Sequence, residues 1–219
     1  MHQIWNRSCA RGITAAATAL VLLLGSTGCA TVALERSKVE PLKTVDFVQV
    51  ETPPLQVLTF MQALVNSPAV GAGLIPAAIA ESQDKTLFSS PVIPDFGALV
   101  GEGLRARLPQ QASWWPTMVQ GQGVVPKSYV HASGNWLRVE VQRLEVAPPP
   151  LRTVFAVVDV SLRTRANEPI WVEHKAYSGI VHGGERIDVD RLPGDLTQLR
   201  REVERAAQWL VNEIASEVR

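Results

Sequence analysis

The clearest hydrophobic pattern lies at the end of the chain. In DLTQLRREVERAAQWLVNEIASEVR, Leu196, Leu199, Val203, Ala206, Leu210, Ile214 and Val218 recur at steps of three and four. That spacing is one face of an α-helix, with Arg200, Arg201, Glu204 and Arg205 on the other side. Gly194 and Asp195 mark its start, and Asp195 with Gln198 has the spacing of a capping box. A stripe of this length is not stable alone and must cover a sheet. Trp209 lies beside the stripe and is expected to be half-buried against that sheet.

Upstream the period changes to two. In NWLRVEVQRLEVA, Leu137, Val139 and Val141 face one way and Arg138, Glu140 and Gln142 the other. The phase then slips, because Leu144 and Val146 are apolar, which predicts a strand with a bulge near Arg143. Pro148, Pro149 and Pro150 end it. Val154, Ala156, Val158, Val160 and Leu162 define the core face of a second strand, and Ile170, Trp171, Val172 and Ala176 suggest a third. The turn from Arg165 to Pro169 contains Asn167, so these two read as an antiparallel hairpin. Before them, DFGALVGEGLRARL predicts a helix from Asp95, weakened by Gly101 and Gly103.

The first half is less regular. LQVLTFMQALVN, from residue 55, fits an amphipathic helix ending near Asn66. The segment from Ala69 to Ala80 is apolar, rich in Gly and Ala, and interrupted by Pro76. It reads either as a small-residue helix packed on its predecessor or as an apolar loop that meets membrane or partner. Residues 29–54 carry mixed charge with Pro41, Pro53 and Pro54. They read as a tether, or, around Val45, Phe47, Val48 and Val50, as a short edge strand. The order implies an α+β domain over 55–219: an antiparallel sheet of three or more strands packed on one side by helices.

The first thirty residues have another logic. Arg7 and Arg11 precede twelve residues from Ile13 to Leu24, and Gly25, Ser26, Thr27, Gly28 and Cys29 follow. A spanning helix needs about 20 apolar residues. The basic, apolar, small-residue order is instead that of a secretory signal over residues 1–28. Its end resembles the lipobox of bacterial lipoproteins, with Ser26 where Leu is usual and Thr27, Gly28 and Cys29 in place. The resemblance implies lipidation of the Cys29 thiol and cleavage before it. Ala30, rather than the aspartate of inner-membrane retention, implies the periplasmic face of the outer membrane. Cysteine usage agrees: Cys9 lies in the removed part, so Cys29 has no disulfide partner within the chain. Several acyl chains, at roughly 0.8 kcal/mol per buried CH₂, give a durable anchor.

Processed at Cys29, the chain keeps 19 basic and 21 acidic residues, a near-neutral balance without clustered Lys and Arg. That argues against a nucleic-acid partner. No G-x-S-x-G elbow, H-E-x-x-H motif or cofactor fingerprint is present. His131, His174 and His182 are the remaining histidines. His174 and His182 with Asp188 and Asp190 are the residue types of a metal site, but their spacing matches no ligand pattern, and no metal is expected. Ser133 and Ser178 are the serines nearest histidines, and neither has the context of an activated nucleophile. Trp114 and Trp115 read as core packing or as an interaction anchor.

The order of elements over residues 92–219, behind a lipobox and a spacer, is similar to small periplasmic lipoproteins. These include the auxiliary lipoproteins of lipid-trafficking ABC transporters and outer-membrane lipoproteins that activate cell-wall synthases. The resemblance implies a non-enzymatic, membrane-anchored component with an envelope protein partner. The competing expectations are a transporter subunit and a periplasmic hydrolase. The hydrolase requires a histidine within reach of a serine or carboxylate in a cleft.

Overall fold

The computed structural model describes residues 31–58, 92–148, 150–192 and 194–218. The signal-like segment, Cys29 and the Ala69 to Ala80 stretch lie outside the described residues. The folded unit begins at Val32 and runs to the C-terminus. In chain order it contains α1 (Arg36–Val39), β1 (Thr44–Val50), β2 (Gln56–Val57), α2 (Phe96–Gln111), β3 (Thr117–Val125), β4 (Trp136–Val146), β5 (Val154–Arg163), β6 (Pro169–Ser178) and α3 (Thr197–Ser216).

The class is α+β, but the sheet is mixed rather than antiparallel. Its order is β3-β1-β4-β5-β6, with β2 pairing β4 beyond the end of β1. The β5–β6 pair is antiparallel, as the hairpin pattern predicts, and the β4–β5 pair is antiparallel too. β1 is parallel to both of its neighbours, β3 and β4. The difference originates in the residues read as tether or edge strand. Val45 and Phe47 enter the main core, while Val48 and Val50 enter a smaller cluster on the opposite face. A strand that is apolar on both faces belongs inside a sheet, not at its edge. The expected spacer is therefore folded from Val32 onward.

Helices α2 and α3 cover the sheet face that carries Val45, Phe47, Leu137, Val139, Val141, Val158 and Val160. The β4 bulge keeps that face apolar to the end of the strand. Val141 pairs Val158, the register shifts, and Leu144 and Val146 return to the core opposite Ala156 and Val154. Gly101 and Gly103, which weaken α2 as a helix, let it pack closely. A Cβ on Gly101 would stand 2.6 Å from Phe47 Cζ, and one on Gly103 2.6 Å from Val211 Cγ2 of α3. Asp95 caps α2 by accepting from the Ala98 amide at 3.2 Å and the Thr52 hydroxyl at 2.7 Å, tying the helix start to the end of β1.

Most of the α3 stripe is buried as expected, and Trp209 is half-buried. The capping box does not form. Helix α3 starts at Thr197, and Asp195 Oδ1 accepts from the Thr197 amide at 2.8 Å. Gln198 reaches instead to the preceding loop, donating to the Arg186 carbonyl and accepting from the Asp188 amide. The turn between β5 and β6 follows the residue that signals it: Asn167 takes φ 64°, a conformation Asn tolerates.

Parallel strands cannot be joined by a hairpin. Residues 126–135 therefore have to carry the chain from the end of β3 back to the start of β4, across β1. They do so on the face away from the helices, where Tyr129 packs on the cluster of Val48, Val50, Val125 and Trp136. Arg138, Glu140, Gln142 and Asp159 line the middle of that face, with the apolar Phe155 and Val157 beyond them.

Candidate functional site

The crossing segment carries a side-chain network centred on His131. His131 is only 5% exposed, between Tyr129 and Trp136 with ring centroids at 6.1 and 6.0 Å. Tyr129 OH lies 3.0 Å from its Nδ1. Asp46 Oδ2, from β1, and Ser133 Oγ both lie 2.7 Å from its Nε2. Asp46, Gly121, Gln122 and Ser133 border an open depression of about 360 Å³ beside the ring. The reach that a hydrolase requires is therefore met at His131.

The arrangement of these groups around the ring differs from that of a Ser-His-Asp triad. In a triad the serine and the carboxylate occupy different ring nitrogens, so that one nitrogen takes a proton while the other is held by the acid. Here both occupy Nε2. A proton must lie between Nε2 and the Asp46 carboxylate, because two lone pairs at 2.7 Å repel, so the nitrogen that faces Ser133 is the one already engaged by the acid. Through His131 and Asp46 the network also ties the crossing segment to β1.

The other histidines are engaged elsewhere. His174, on the polar face of β6, pairs with Asp159 of β5, which also accepts from Gln142 at 2.7 Å. His182 is stacked on Tyr177 at 5.2 Å between centroids and against Trp209 at 3.9 Å. Its Nδ1 lies 3.1 Å from the Ser178 amide and 3.0 Å from the Ser178 carbonyl, so either tautomer finds a backbone partner. Asp188 pairs with Arg191 and Asp190 with Arg152. The four residues considered for a metal are thus not brought together. Among the described residues, no group of three His, Cys, Asp or Glu is placed to hold a metal ion.

Sequence reading missed Glu202. It lies on α3 next to Val203, its residue is 0% exposed, and Arg205 Nε stands 3.4 Å from its Oε1. Arg205 also donates to the Gly183 carbonyl at 2.8 Å, which holds the turn after β6 against the helix. Burial, and then the Glu202 charge, push the nearby Tyr177 phenol above its ordinary value, against a smaller opposing effect of Arg205. The signal was a charged residue inside an apolar stripe. Trp115, one of the paired tryptophans, is buried edge-on to Trp171, with centroids at 5.8 Å, so it packs the core. Trp114 is half-buried under the Arg36 guanidinium, 5.6 Å from its ring centroid.

No protein-family model matches the chain, and no curated protein matches it.

Proposed function

We propose that the chain is a lipoprotein acylated at Cys29, held on the periplasmic face of the outer membrane, and that it acts without catalysis as a binding or assembly component of an envelope complex. The observation that carries this reading is the order of residues 7–29: two arginines, a twelve-residue apolar run, small residues, then a cysteine with no partner. The folded unit supports it by beginning three residues later, at Val32. The geometry at His131 supports the non-enzymatic part, since Ser133 and Asp46 approach the same ring nitrogen instead of flanking the ring as in a triad.

Two measurements test the reading. Mass spectrometry of the mature N-terminus should find Cys29 diacylglycerated, and globomycin should make the precursor accumulate. A free thiol and unaffected processing would overturn the membrane placement. Crosslinking in intact envelope followed by pull-down should then recover a specific protein partner. Recovery of none under several conditions would remove the assembly role.

A further inference from the structure

We infer that the β6 edge of the sheet is the side held against the lipid leaflet, with the β3 edge presented away from it; this rests on the lipoprotein reading. Among the described residues the sheet has two outer edges, β3 and β6. They are treated differently. Val32 forms an isolated antiparallel bridge to β6, donating to the Val172 carbonyl at 3.1 Å and accepting from the Val172 amide at 3.0 Å. The chain upstream of the domain is therefore fastened to one edge strand by a reciprocal pair of backbone hydrogen bonds.

Three residue steps separate Val32 from Cys29. At no more than about 3.6 Å per residue, the leash is at most about 11 Å long. Four strand spacings of about 4.8 Å put the β3 edge about 19 Å farther across the sheet. The flanking faces favour standing on the edge over lying flat. The open face carries Arg138, Glu140 and Asp159, and the outside of α3 carries Arg200, Arg201 and Glu204. Four residues after the bridged Val32, Arg36 of α1 lies over the half-buried Trp114, a pairing of apolar ring and charged head that suits a lipid–water boundary.

The test uses the mature lipidated chain in vesicles of phosphatidylethanolamine and phosphatidylglycerol that carry a lipid-borne energy acceptor. Acylation consumes the sole thiol, so one introduced cysteine takes the donor dye alone. Ala33→Cys and Glu35→Cys, both exposed, report on the β6 side, and the exposed Gln122→Cys reports on β3. Transfer from positions 33 and 35 should be roughly twofold greater than from 122, given the width of the sheet. Inserting twenty Gly and Ser residues between Ala30 and Thr31 lengthens the leash to about 25 Å r.m.s. and should abolish the difference. Equal or greater transfer from position 122 in the uninserted, vesicle-bound protein would overturn the orientation alone. Failure of the protein to float with the vesicles, with no acyl mass on Cys29, would instead remove the lipoprotein reading and this inference with it.

Discussion

Glu140 shows how the polar face of the sheet is held together. Lys127 Nζ stands 2.8 Å from Oε1 and Arg138 Nη2 2.7 Å from Oε2. Burial pushes its carboxyl up, but the hydrogen bond from Lys127 and the charges of Arg138 and Lys127 outweigh that and hold it below the ordinary 4.5. A depressed carboxylate contributes stability that is present above its unfolded value and lost as pH falls through the folded one. Glu140→Gln should therefore lower stability at pH 7, by about 1–3 kcal/mol for the lost charge-assisted bonds. It should also make stability less steep below about pH 4.5 than in the parent. Urea midpoints between pH 3 and 7 check both; parallel curves would show that Glu140 titrates alike in folded and unfolded chains. At this scale the sequence was partly legible. The outward alternation of Arg138, Glu140 and Gln142 was written locally in β4. The His131 network was not, because its carboxylate, Asp46, is 85 positions away and comes near only through the parallel β1–β4 pairing.

Elements were legible where their signal was periodic and local. The α3 stripe, the bulge of β4 and the β5–β6 hairpin each rest on spacing within a few residues of chain. β1 was ambiguous because seven residues, apolar on both faces, fit an edge strand or a spacer until their neighbours are known. Helix α3 also carries an exception to its own pattern in Glu202. A buried carboxylate that loses its counter-charge is left to bear its full desolvation cost. Arg205→Met should therefore destabilise the protein by about 2 kcal/mol or more and loosen the turn that Arg205 fastens through the Gly183 carbonyl. Adding Glu202→Met in that background should recover most of the loss, since an apolar side chain of similar size needs no partner. Chemical denaturation of the two variants and the parent checks this. A double variant no more stable than Arg205→Met would show that the arginine acts by packing or by the Gly183 bond rather than by charge.

At the scale of the whole molecule, β1 is the strand that joins β3 to the rest of the sheet. A chain begun at Val32 should unfold in one cooperative transition by circular dichroism. A chain begun at Glu51, lacking β1, should show none, because β3 loses the strand it pairs with among the described residues and Trp136 loses Val48 and Val50. A cooperative transition in the shorter chain would mean that the sheet closes without β1. The same strand constrains how the fold is reached. Thr44 pairs with Thr117, and Asp46 pairs with Trp136. A nascent polypeptide, made amino end first, releases this apolar ribbon with both flanks bare. It must wait while seventy or more further residues are added before either flank finds its mate. Until then Val45, Phe47, Val48 and Val50 stand open to any passing strand.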